Sequence, residues 1–283
     1  MTFTQGMINM TTIAARALVS AVGIGALSAS ATLLAQEPAQ RERAAISLGA
    51  FITRPATEAR VDNDAGQGTD LNLEDDLGLQ SSTTIARIDG HWWLSRRNRL
   101  DFSLFNFSRD GTRTIDETIN FGDRTFAINT VVNSTQNLDI VKAAYTFAPI
   151  IKDRGFLGFT AGLYVSQTEL SLSQSTLGSV QSETLTAPLP VIGVRGQYAV
   201  TDRIKLRGSL EVFGIDTGDV SGRLNDFNVA AEYGFGKRFA VGLAYNDVAM
   251  DIDASEGGSG FRGALDWGYS GWLLYMNVDI GNQ

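Results

Sequence analysis

The feature that most limits the fold is a two-residue alternation running through the second half of the chain. Between Arg203 and Ile215, the residues Ile204, Leu206, Gly208, Leu210, Val212 and Gly214 share one parity. Lys205, Arg207, Ser209 and Glu211 share the other. A strand sends alternate side chains to opposite faces, so the segment has an oily face and a charged face. Two architectures accept it. In a soluble sandwich the oily face packs on a second sheet. In a membrane barrel, lipid covers the oily face and the charged face lines the lumen.

The first segment favours the membrane. Residues 17–35 are almost entirely apolar or small, Arg16 precedes them, and no acid occurs before Glu37. That is the pattern of a secretory signal peptide, with cleavage expected after Ala35 or, as the alternative, Ala31. Met7 or Met10 is an alternative start, because residues 1–12 carry no charge. The expected organisation is a signal peptide at 1–35, a short periplasmic segment at 36–43 and a barrel over 44–283. Losing residues 1–35 removes one Arg and no acid, so the formal charge moves from −8 to −9. Such an acidic chain is a poor nucleic-acid binder, since that affinity comes mainly from Lys and Arg on phosphates. With no Cys, thiolate chemistry and disulfides are excluded. Beyond the leader no run approaches 18 apolar residues, which leaves a closed barrel as the way to span a bilayer.

Ten strands are predicted, at about 44–53, 82–94, 100–109, 134–147, 155–170, 184–200, 203–215, 222–235, 239–250 and 264–280. Phe105 and Phe107 blur the parity of the third. Short connections alternate with longer ones, as in barrels with short periplasmic turns and long extracellular loops. With both ends of the barrel on the periplasmic side the strand number is even; eight or twelve would also satisfy this. The expected class is therefore all-β, an antiparallel up-and-down transmembrane β-barrel. Trp92, Trp93, Tyr145, Phe147, Phe156, Tyr198, Phe235 and Phe239 lie near the short turns and read as an interfacial girdle.

The terminal strand, Tyr269 to Ile280, has alternate apolar residues following Gly271, and resembles the terminal signal read by the barrel insertion machinery. Its usual final aromatic is replaced by Ile280-Gly281-Asn282-Gln283. With the leader and the strand pattern, the chain resembles the small bacterial outer-membrane β-barrel superfamily that includes the OmpA membrane domain, OmpW and the opacity-type proteins. The resemblance implies outer-membrane lipid and lipopolysaccharide as surroundings and the barrel assembly machinery as a partner during insertion. No nucleic-acid partner is expected, and the sequence does not name the surface partner.

The predicted registers turn Arg87, Asp89, His91, Lys142, Arg195, Lys205, Arg207, Glu211 and Glu232 into the lumen. Mixed signs in a narrow barrel favour closure by ion pairs over a wide channel. His91, the only histidine, shares a face with Asp89. The two form a conceivable base and orienter, although a lumen histidine bonded to its neighbours is the plainer reading. Asp62, Asp64 and Gly66 copy part of a calcium loop, and Asp70 follows, but Leu73 stands where the loop's final Glu belongs. A solvated acidic loop is the plainer reading there, with divalent bridging to lipopolysaccharide phosphates between the two. Residues 125–132 suit either an outer hairpin or a lumen plug. No cofactor or catalytic set is expected. The leading function is a non-enzymatic barrel with a structural or surface-interaction role. The alternatives are a narrow channel or conduit for small or hydrophobic solutes and, behind it, a lipid A or peptide hydrolase.

Overall fold

The structure, a computed structural model, describes residues 42–174, 180–216, 220–236, 238–254 and 262–282. The expected signal peptide at 1–35, residues 36–41 and Lys237 lie outside the described residues. Ten long strands form the barrel: β1 (Glu42–Val61), β3 (Thr83–Trp93), β4 (Asn98–Thr114), β7 (Val131–Lys152), β8 (Gly155–Gln174), β9 (Val180–Ala199), β10 (Ile204–Asp216), β11 (Val220–Phe235), β12 (Phe239–Ala254) and β13 (Gly263–Asn282). Three short strands lie in connections: β2 (Leu71–Asn72), β5 (Ile119–Phe121) and β6 (Arg124–Phe126). Each long strand pairs antiparallel with its neighbours along the chain, and β13 closes on β1 from Glu42↔Asn282 to Val61↔Gly263.

The alternation sets the polarity of the wall. Leu48, Ile88, Leu104, Val141, Leu163, Val194, Leu210, Val229, Leu243 and Met276, one from each of the ten strands, point outward and are at least 40% exposed. Polar side chains on the opposite parity, such as Ser47, Ser103 and Lys142, are buried. The same rule resolves β4, where Leu100, Phe102 and Leu104 face out and Phe105 and Phe107 face in. It also corrects the expected girdle. Trp93 and Phe156 are inward and packed edge-to-face at 4.9 Å, with Arg99 over both rings. A parity argument assigns them correctly; their nearness to turns misassigns them. Where the pleat needs room, glycine supplies it: a Cβ on Gly242 would lie 2.2 Å from the Tyr275 ring.

Most strands run further outward than expected, because polar alternation continues past the apolar belt; β1 reaches Val61 and β7 begins at Val131. The wall is unevenly paired. β8 and β9 pair along their whole length, from Gly155↔Tyr198 to Ser173↔Val180. β9 and β10 pair only from Lys205↔Ala199 to Val212↔Ile192, and Pro190 and Pro188 come next on β9. Proline removes a ladder donor.

The apolar core sits inside the half of the barrel that carries the long connections and is supplied partly by them. Leu71, Leu73, Leu77 and Leu79 of the first connection join Ile119, Phe121 and Phe126 of the β5–β6 hairpin. Together they pack against Phe107, Leu138, Leu224 and Trp267 of the wall. The hairpin of this second connection therefore belongs to the plug; of residues 125–132 only Thr125 and Phe126 are part of it, and Val131 and Val132 already open β7.

Candidate functional site

Below this plug the lumen is charged. Lys142 of β7 reaches across to β10 and β11, placing its Nζ 2.5 Å from Glu211 and 2.6 Å from Asp226. Arg195 donates to Glu211 at 2.8 Å and lies 3.6 Å from Asp101, which Arg99 holds at 2.6 Å. On the other side of Asp226, Asn246 donates to it at 2.8 Å and accepts from Arg87 at 2.6 Å; Arg87 also holds Asp89. A second chain runs from Glu232 through Arg207 (3.0 Å) to Glu42 (3.8 Å), then Lys205 (3.2 Å) and Asp279 (3.7 Å). Tyr275 donates to Glu232 at 2.8 Å. All nine lumen residues singled out in the sequence lie in this region. Below the plug, among the described residues, the ion-paired set is six cations (Arg87, Arg99, Lys142, Arg195, Lys205, Arg207) against seven carboxylates (Glu42, Asp89, Asp101, Glu211, Asp226, Glu232, Asp279).

Near balance has a physical reason. Each buried charge is costly unless it is paired, and a wall of one sign would repel itself. A polar cavity of about 110 Å³ remains between Arg87, His91, Asp101, Lys142, Arg195 and Asp226. His91 is 3% exposed, and its Nε2 has no hydrogen-bond partner; the Glu42 carboxylate lies 3.7 Å away. Asp89 is engaged by Arg87, so the geometry does not set it up as an orienter for His91.

Five members of the ion-paired set were missed by the sequence reading. Glu42 was placed in a periplasmic segment, yet β1 starts there and its side chain points inward. Arg99 falls one residue before the strand expected at 100–109, yet it is the first inward residue of β4. Asp101, Asp226 and Asp279 follow from parity once each strand's start is fixed.

The outer mouth is held by one residue. Arg109 of β4 is fully buried. It donates to Gln136 at 2.7 Å, to Thr57 at 2.5 Å, to the Gln80 carbonyl at 3.1 Å, and to Glu74. It thereby ties the first connection to β1 and β7. Two further acids of that connection, Asp62 and Asp70, share Arg60, and Asp64 contributes its backbone carbonyl. Arg60 lies 3.1 Å from Asp62 and 3.6 Å from Asp70, and Arg262 donates to the Asp64 carbonyl at 2.8 Å. Among the described residues no three His, Asp or Glu are grouped to hold a metal ion.

Outside, above the apolar belt, register sets Glu58 beside Asp266 and Asp266 beside Asp251. Partial burial, with Asp251 and then Glu58 alongside, raises the Asp266 carboxyl above its ordinary range. Directly opposed like charges weaken a sheet, and Arg223, paired across from Asp251, offsets part of this.

Apolar outside, ion-paired inside and closed by β1 and β13, the fold is a closed antiparallel β-barrel of ten long strands. No family model and no curated protein matches the chain. Among solved structures, it is similar to Ail, the attachment invasion locus protein of Yersinia pestis. The identity is 13%, the TM-score 0.36, and the match covers 83% of this chain and 96% of Ail. It is also similar to the toluene transporter TodX of Pseudomonas putida, with 8% identity, TM-score 0.32 and coverage of 86% and 92%. The third is the transport unit of the Escherichia coli autotransporter AIDA-I, with 7% identity, TM-score 0.41 and coverage of 96% and 98%. The strand register of the chain itself, rather than these likenesses, establishes the barrel.

Proposed function

We propose that the chain is an integral bacterial outer-membrane barrel with a closed lumen, non-enzymatic, that acts through its outer surface. One observation carries the membrane reading: exposed apolar residues on all ten strands, at the height where the interior is charged. A soluble barrel would have the reverse polarity. Met276 lies beside Leu48 and Val241 in the belt and is half exposed. Met276→Arg should cost about 2–4 kcal/mol in lipid vesicles, the range for a basic residue near the bilayer midplane. Thr186→Arg, above the belt, should cost less than about 1 kcal/mol. Urea unfolding in vesicles measures both, and equal costs would sink the membrane reading.

Closure rests on the plug above and the wall-to-wall ion pairs below. Purified, refolded protein in planar bilayers is therefore expected to show no discrete openings, and His91→Ala should behave alike because the one acid beside His91, Glu42, is also held by Lys205 and Arg207. Reproducible single-channel steps from the wild type would instead favour a narrow solute channel lined by Arg195, Arg207 and Lys205. The closed lumen leaves the outer ends of the strands and their connections as the working surface. Lipopolysaccharide is the surrounding lipid there.

A further inference from the structure

Among the described residues, the outer half of β9 has one edge that no strand pairs, and hydrogen bonds at its other end show which peptide groups face it. The Ala199 amide donates to the Arg154 carbonyl at 2.6 Å, toward β8; the Val200 amide donates to the Ile204 carbonyl at 2.8 Å, toward β10. Amides alternate in direction along a strand, and the β8–β9 register runs without a shift from Tyr198 to Val180. Even-numbered peptide groups of β9 therefore face β10. β10 takes them as far as Ile192. The next two even positions are Pro190 and Pro188, which have no N–H to give. Beyond them Thr186, Thr184 and Ser182 turn both N–H and C=O to a side where, among the described residues, no strand pairs.

Sheets normally protect such an edge with Lys, Pro or a bulge. Here prolines protect only the stretch within the belt. Residues 181–187 (Gln-Ser-Glu-Thr-Leu-Thr-Ala) contain no Lys, Gly or Pro and are rich in Thr, so they stay straight and ready to pair. We infer that the outer half of β9 is a strand-addition site for an extended, basic polypeptide segment from outside the cell. This rests on the outward orientation proposed above.

Backbone groups of the edge would give affinity, as in other strand additions. Charge selects the class of partner. Glu183 is on β9 itself, and Glu169 accepts from Ser182 at 2.9 Å on the adjoining strand. A second copy in the same membrane does not fit. Its β9 would also run from outside to inside, and the two tilted strands would cross rather than align.

The probe is a fluorescein-labelled peptide of alternating Thr and Val with Lys at both ends, read by fluorescence anisotropy on the refolded barrel in lipid vesicles. Wild type is expected to bind it. Thr184→Pro combined with Thr186→Pro should weaken binding at least tenfold, because both donors face the edge and not β8. Thr184→Val with Thr186→Val should change it less than twofold. The fully N-methylated peptide, equal in charge, should not bind. Heat-modifiable gel mobility shows that each variant folds. Equal binding by the proline variant, equal binding of the N-methylated peptide, or no binding by wild type each overturns the site. Because the chain has no Cys, Thr184→Cys tests orientation separately. Labelling by an impermeant maleimide on intact cells supports it; labelling only after lysis overturns the outward reading while leaving the purified-protein result standing.

Discussion

Arg109→Ala is expected to detach the first connection from the barrel mouth and to lower stability by about 3–5 kcal/mol, the range for breaking a buried ion pair by removing one partner. The Arg109 side chain meets Glu74, Gln80, Thr57 and Gln136, which belong to the first connection, β1 and β7. Among the described residues, no other side chain hydrogen-bonds to all three. Without it, Glu74 keeps its bond from the Thr57 amide at 3.1 Å but loses its cation, and Gln136 and Thr57 lose their donor. Leu71, Leu73, Leu77 and Leu79 still favour burial by roughly 1.5–3 kcal/mol each, so the plug loosens and the barrel persists. The measurements are urea unfolding in vesicles and limited proteolysis from the outer side. Cleavage between residues 62 and 82 should speed up at least tenfold with the strands intact. Unchanged cleavage would show that the leucines alone seat the plug. Glu74→Gln should give a smaller loss, because the bonds to Thr57, Gln136 and the Gln80 carbonyl survive it.

Much of this architecture is legible in the sequence because period-two alternation is a local signal. Ile204 to Gly214 declare their faces without reference to any other strand, and the ten strands follow from repeating that reading. The plug is not legible in the same way. Leu71, Leu73, Leu77 and Leu79 sit among Asp70, Glu74, Asp75 and Asp76, and composition reads such a stretch as a solvated acidic loop. Only the barrel mouth, a product of ten strands, gives these leucines somewhere to go. Arg109 fails for the same reason: its partners lie up to 52 residues away. The open edge of β9 is an intermediate case. Pro188 and Pro190 are visible in the chain, but their meaning depends on which neighbour each amide faces, and that requires the register.

Lys142→Met tests the lower lumen. Lys142 stands between Glu211, which is fully buried, and Asp226, and it is the only cation described within 4 Å of Asp226. Glu211 also has Arg195; Asp226 is left with the amide of Asn246. Met matches the length of Lys and keeps the packing, so the loss isolates the charge. Stability should fall by about 3–5 kcal/mol. Asp226→Asn removes the stranded charge, so adding it to Lys142→Met should recover a large part of the loss, with a coupling of about 1–3 kcal/mol. Urea unfolding of the two single variants and the double variant in vesicles closes the cycle. A coupling near zero would mean that water in the lower cavity screens these charges, and that the lumen is wetter than its geometry indicates. A large coupling means that the lower lumen is held shut by pairs which cannot be opened one partner at a time. A barrel closed in this way below and plugged above is the one on which the proposed role for the strand ends and connections depends.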